Sequence, residues 1–190
     1  MADAIVAGGG HVVPFDQAEA LVWGSPHDAE LLEHVLDEHP DIAWVQLPFA
    51  GVENFVHLVD DERTWTCGKG VYAKPVAEMA LALALAGMRG LGTYARVRNW
   101  SAPRGANLFG ANVTILGGGG ITEALIELLQ PFKSRITVVR NHVQEMEGVD
   151  EVVEADRYID ALVGADLVIV ALALTPETEG MLSRNEFEMM

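Results

Sequence analysis

The chain has 190 residues, half of them hydrophobic, with 28 Asp and Glu against 12 Lys and Arg and a formal charge of −16 at pH 7. Such a length holds one large domain or two small ones around a packed core, and the acidity argues against a nucleic-acid partner, because a phosphate backbone demands clustered Lys and Arg. One cysteine, Cys67, rules out an intramolecular disulfide and a multi-cysteine metal site.

Residues 1–10 are small, end in Gly8-Gly9-Gly10 and lack the basic opening of a secretory leader, so a reducing, cytoplasmic setting is expected. His11-Val12-Val13 and Ala20–Trp23 read as strands, with Pro14 and Asp16 as turn residues between them. Asp28–Glu38 has helical spacing, with Leu31, Leu32, Val35 and Leu36 as its apolar stripe, and His39-Pro40 stops it. Ile42–Leu47 is the next strand. Pro48–Val52 forms a turn into a short helix around Asn54–His57, and Thr64–Cys67 is a strand closed by Gly68. None of the six histidines has zinc-ligand spacing.

A long helix is predicted from Lys74 to about Tyr94, with Pro75 in its first turn and apolar residues round nearly its whole circumference. Burial on more than one side follows, between two domains or against another subunit, and a homodimer is expected. Its apolar stretch, Val76–Met88, contains Glu78 and is shorter than the ~20 residues of a membrane span, so the protein is expected to be soluble with no membrane partner. Arg96–Gly110, polar and containing Pro103, Gly105 and Gly110, reads as a linker. The expected domains are 1–95, with the linking helix at about 74–94, and 96–190.

Residues 112–140, NVTILGGGGITEALIELLQPFKSRITVVR, carry the clearest motif. A β-branched run enters four glycines, an amphipathic helix follows, and a second apolar run ends at Arg140: one βαβ unit in about thirty residues. Such a turn brings backbone N–H groups and a helix N-terminus to an anionic group, commonly a dinucleotide pyrophosphate. Gly117 and Gly119 match the first two glycines of G-x-G-x-x-G, but the third position is Thr122, a β-branched residue where helix and strand pack closely. A tight turn that binds nothing is the alternative. Further on, 151–153 is strand-like, 157–163 helical, and Ala165–Leu172 a near-continuous apolar run of the kind found in buried parallel strands. The Thr175–Thr178 loop lies at its carboxyl end, the edge where open α/β sheets bind ligands.

Four segments in this order, WVQLPFAGVENF (44–55), GVYAKPVAEMALALALAGMR (70–89), the glycine unit and ADLVIVALALTPETEGMLSRNEF (165–187), resemble the D-isomer-specific 2-hydroxyacid dehydrogenases, the group containing D-3-phosphoglycerate dehydrogenase and the glyoxylate/hydroxypyruvate reductases. The resemblance implies an α/β protein: a flavodoxin-like substrate domain and a Rossmann-type nucleotide-binding domain, both incomplete, joined by the long helix, which in the family helps form a homodimer. It implies hydride transfer between NAD(P) and a small 2-oxo or 2-hydroxy acid, D-stereospecific. By position, Ala50, Gly51 and Val52 correspond to the turn that holds the substrate carboxylate. Gly117, Gly119, Gly120 and Ile121 correspond to the pyrophosphate turn, and Ala171, Leu172, Ala173 and Thr175 to the strand end and loop beside the cofactor.

Two departures bear on the cofactor. NAD-preferring relatives place an acid where this chain has Arg140, whose guanidinium suits the extra phosphate of NADP, so NADP is favoured; a solvated arginine is the alternative. Glu123, in the first turn of the helix, suits the helix dipole but repels phosphate. The family's catalytic Arg, Glu and His all fall after the segment matching Met189-Met190, so no catalytic residue is assigned and the chain alone is expected to be inactive. It reads as a fragment of a longer protein or a naturally shortened relative, with a half-built nucleotide sheet that favours self-association. A non-catalytic dinucleotide sensor of the same fold is the alternative function. An S-adenosylmethionine-binding methyltransferase is a third, which the matches at 44–55 and 165–187 count against.

Overall fold

The computed structural model describes residues 1–100 and 102–190, and the chain divides into two compact units, Met1–Val71 and Tyr72–Met190. In the first unit, α1 (Ala2–Ala7) precedes a parallel sheet of three short strands, β1 (Ala20–Val22), β2 (Trp44–Gln46) and β3 (Thr64–Thr66), in the order β1-β2-β3. Helix α2 (Ala29–Glu38) makes the first crossover. Its start is fixed by Asp28, whose carboxylate accepts the Leu31 N–H at 3.1 Å. Leu32 and Leu36, one turn apart, bury against Trp23, Ile42, Val45, Leu47 and Phe55.

The predicted strand at His11–Val13 is absent. Those residues are irregular and lead through Pro14 into a 3₁₀ turn at Phe15–Gln17, since a three-residue run followed by a proline has no neighbouring strand to pair with. The short helix expected near Asn54–His57 is a 3₁₀ turn at Val56–Leu58.

The second unit opens with α3 (Ala73–Met88) and the single-turn α4 (Leu91–Tyr94). One continuous helix over 74–94 is thus corrected: Gly90 adopts left-handed backbone, φ 63°, which ends α3 and starts a new turn. Within the single chain one side of α3 is covered. Ala77 and Ala84 are buried, whereas Val76, Met79 and Leu83 on another face are 41 %, 60 % and 65 % exposed.

The sheet of this unit comprises β4 (Asn112–Leu116), β5 (Arg135–Arg140), β6 (Glu151–Glu154) and β7 (Leu167–Val170), all parallel, in the order β6-β5-β4-β7. Numbered by sequence this is 3-2-1-4, the first four strands of a dinucleotide-binding sheet. Helix α5 (Gly120–Leu129) connects β4 to β5, α6 (Tyr158–Leu162) lies between β6 and β7, and α7 (Arg184–Met189) follows, capped by the reciprocal Ser183–Glu186 pair. Strand alternation builds a core on each face. Val113, Ile115, Ile136 and Val138 pack with Leu125, Ile126 and Leu129 of α5 and Ala77 of α3, while Leu116, Val139 and Val153 pack with Leu162 of α6. Thr114 points the same way as Leu116 and is satisfied there by donating to the Ala161 carbonyl at 2.6 Å. The expected burial of the 165–172 run is corrected: β7 is the edge strand, its residues are half-buried, and Val170 is 55 % exposed.

Candidate functional site

The glycine turn follows from the geometry of β4. Gly117 continues the strand, donating its N–H to the Val139 carbonyl at 2.8 Å, and then turns with φ 110°. A Cβ there would lie 2.4 Å from the carbonyl oxygen of Ala171, so both torsion and space require glycine. Gly118 lies under the Arg140 side chain, whose Cδ would be 2.9 Å from an added Cβ, whereas Gly119 faces open space. Gly119 is the N-cap of α5 with no side-chain cap, and Gly120 is its first residue. Among the described residues the N–H groups of Gly118 and Gly119 make no hydrogen bond. The turn therefore offers free donors at the positive end of a helix dipole.

Thr122, read above as a packing difficulty, is wholly buried and donates its hydroxyl to the Gly117 carbonyl at 2.7 Å. The hydroxyl thus satisfies a buried acceptor at the turn's sharpest residue. Ile121 is turned away from the turn, against the core shared by α3 and α5.

An open cleft of about 710 Å³ lies at the carboxyl edge of the sheet, bordered by Gly117, Gly118, Arg140, Leu172, Ala173 and Thr175. This volume is within the roughly 300–1,000 Å³ of small-molecule sites. Ala171, past the end of β7, is tied to β4 by its N–H to the Leu116 carbonyl at 2.7 Å and sets the close approach to Gly117. Five sequence-predicted residues thus share one cleft, with Gly119, Gly120 and Ile121 starting the helix beside it. Gly118 of the four-glycine turn and Glu177 and Thr178 of the loop expected at this edge also line it, and sequence reasoning missed Tyr158 and Met181. The T-P-E-T spacing carried a usable signal: Thr178 Oγ1 accepts the Thr175 N–H at 2.8 Å and donates to the Ala173 carbonyl at 2.7 Å, which holds the loop in shape. The Glu177 carboxyl is held below its usual range by a hydrogen bond with the Thr175 side chain and by its own backbone N–H. It stays ionised at neutral pH.

Arg140 is the last residue of β5 and is half-buried. Its neighbour across the sheet is Glu154, yet among the described residues Arg140 takes part in no ion pair, although acids outnumber bases more than two to one. Asn141 follows it into the cleft.

The other predicted residues lie in the first unit, past the end of β2. The N–H groups of Ala50, Gly51 and Val52 make no hydrogen bond among the described residues. The turn is held at both sides: the Gly68 N–H donates to the Phe49 carbonyl at 3.1 Å, and the Phe55 N–H to the Val52 carbonyl at 2.8 Å. A Cβ at Gly68 would meet the Pro48 carbonyl oxygen at 2.7 Å, which keeps the β3 end close against this turn. The Glu53 carboxylate folds back over Gly51. Cys67 is a free thiol, and among the described residues no group of three potential ligands could hold a metal ion. No helix among them is long and apolar enough to cross a membrane.

Residues 79–190 match the family model for the NAD-binding domain of D-isomer specific 2-hydroxyacid dehydrogenases. An uncharacterized protein from the proB 3′ region of Corynebacterium melassecola is 31% identical over 187 residues, covering 92% of this chain and 59% of its own length. A D-isomer specific 2-hydroxyacid dehydrogenase from Xanthobacter autotrophicus Py2, solved with NADPH and MES, superposes with a TM-score of 0.75 at 22% identity, over 97% of this chain and 59% of that one. An NADPH-dependent glyoxylate/hydroxypyruvate reductase from Sinorhizobium meliloti, solved with NADP and sulfate, gives 0.74 at 21% identity, over 100% and 64%. At such identities the superpositions establish the fold, and the chain spans about three fifths of these relatives' lengths. The matched family model, on a sheet of order 3-2-1-4 with its glycine turn at the carboxyl edge, makes this chain a member of the D-isomer specific 2-hydroxyacid dehydrogenase family.

Proposed function

We propose that the protein is an NAD(P)-dependent oxidoreductase that interconverts a small 2-oxo acid and its D-2-hydroxy acid. The observation that carries this reading is the glycine turn: Gly117 is wedged against Ala171, and beyond it Gly118 and Gly119 carry unbonded N–H groups at the edge of an open cleft that Gly118 lines. These residues fit the cofactor, since a side chain at Gly117 would close the approach and the donors suit a pyrophosphate. The free N–H groups of Gly118 and Gly119 would hold the pyrophosphate, with Gly117 shaping the turn and Gly120 and Ile121 starting the helix that presents it. Ala171, Leu172, Ala173 and Thr175 would border the rest. When bound, the nicotinamide supplies the hydride.

Arg140, half-buried and unpaired, supports a preference for NADP, because a guanidinium without a carboxylate partner is available to a second phosphate. The free N–H groups of Ala50, Gly51 and Val52 support a role in holding the substrate carboxylate. The family resemblance supports a division into a substrate domain with its linking helix and a nucleotide domain, and a catalytic Arg, Glu and His that are assigned to no residue of this chain. The exposed apolar stripe Val76, Met79 and Leu83 supports a homodimer through α3, and the single half-buried thiol suits a cytoplasmic setting.

The test follows nicotinamide absorbance near ~340 nm with the full natural protein, NADPH and a panel of 2-oxo acids: glyoxylate, hydroxypyruvate and pyruvate. Oxidation of NADPH with at least one is expected, and no change with any of them refutes the activity. Arg140→Asp should then lower the preference for NADPH over NADH about tenfold or more. An unchanged ratio removes Arg140 from the cofactor site.

A further inference from the structure

Arg140 borders a second cavity, of about 580 Å³, between α5 and the loop that joins β5 to β6. Glu123 and Glu127, one turn apart on α5, and Glu145 and Glu147 on the loop line it, and among its lining residues Arg140 is the one cation. The loop is pinned to α5: the Gln130 side-chain amide donates to the Gly148 carbonyl at 3.1 Å and to the Ile126 carbonyl at 3.4 Å, and Gly148 has φ 77°. None of the four carboxylates forms an ion pair with Arg140, so they neither neutralise it nor are neutralised by it.

We propose that these four glutamates set the cofactor selectivity of the neighbouring glycine turn by repelling a second phosphate, against the attraction of Arg140. The inference rests on the dinucleotide reading above. Both cofactor forms carry the pyrophosphate, so only the extra phosphate of NADP(H) distinguishes them at the end of β5. There it meets one positive charge at contact and four negative charges that line the same cavity, each beyond ion-pair distance of Arg140. A contact pair is little screened by salt, whereas exposed carboxylates farther off are screened strongly. The preference for NADPH is therefore modest at low salt and grows as salt is added, opposite to a site governed by attraction alone.

Fluorescence titration of NADPH and of NADH, each at ~20 mM and ~300 mM NaCl, tests this. The ratio Kd(NADH)/Kd(NADPH) is expected to rise about threefold with salt in the unaltered protein. The double substitution Glu123→Gln with Glu127→Gln should raise it at low salt and cut its salt response by about half, since Glu145 and Glu147 remain. A ratio that falls or stays level with salt, or that the substitutions leave unchanged, overturns the proposal while both cofactors still bind. Should the double variant misfold, the salt series on the unaltered protein decides alone. If neither cofactor binds, the dinucleotide reading fails and the proposal falls with it.

Discussion

Strands β4 and β7 are neighbours with similar apolar sequences, NVTIL and LVIV, and opposite fates. In β4, Val113, Ile115 and Leu116 are at most 1 % exposed, because β5 and β7 flank the strand and helices cover both faces. In β7 every residue is half-buried or exposed, with a partner on one side only. Composition makes each a strand, but its place in the sheet decides what burial contributes. The same contrast organises the site: the turn leaving β4 is fixed by the close approach of Gly117 to Ala171 and by the buried Thr122 hydroxyl, and the stretch leaving β7 is held by the hydrogen bonds of Thr175 and Thr178.

Substitutions can break this contrast, starting where packing is densest. Ile115→Ala should lower unfolding free energy by about 2–5 kcal/mol in urea denaturation, since a wholly buried side chain leaves a cavity. Val170→Ala on β7 should lower it by less than about 1 kcal/mol; equal losses would mean that β7 is covered in solution. Next in size is Gly117→Ala, expected to cost about 1–3 kcal/mol and to weaken dinucleotide binding severely, because the Ala171 carbonyl and the positive φ both oppose a Cβ. Gly119→Ala, in open space, should leave stability nearly unchanged. Thr122→Val, nearly the same shape, should cost about 1–3 kcal/mol by leaving the Gly117 carbonyl without its donor.

A smaller effect is expected in the first unit. Burial tends to raise the Asp60 carboxyl, but hydrogen bonds from the Arg63 N–H, the Trp65 indole and the Arg63 guanidinium outweigh it and lower the pKa. A lowered folded pKa contributes stability that is complete above the unfolded value of about 3.9 and disappears as pH falls through the folded one. Asp60→Asn should therefore be less stable than the unaltered protein at neutral pH, by about 1 kcal/mol, with the gap closing below about pH 4. A gap that is constant with pH would show that the ionised carboxylate contributes nothing.

Much of this architecture was legible beforehand. The βαβ unit and the strands that flank it follow from periodicity and glycine placement, because local spacing fixes them. Residues whose meaning depends on distant partners were harder to read. Thr122 looked like an obstacle to close packing, since the carbonyl it satisfies is defined only once the turn has formed. The all-round apolar character of α3 reports what its residues prefer, whereas within this chain α5 covers one face and leaves Met79 and Leu83 exposed. Arg140 was identified by position, but that it goes unpaired among so many acids depends on where the loop after β5 runs. Tyr158 and Met181 reach the cleft from elements whose approach no local pattern encodes.

The central claim, that the cleft beside Gly117 and Arg140 holds a dinucleotide, is tested most directly by calorimetric titration of the protein with NADPH, NADH and S-adenosylmethionine. Saturable binding of NADPH, weaker binding of NADH and none of S-adenosylmethionine is predicted. Heat from S-adenosylmethionine alone, or from none of the three, would contradict the account.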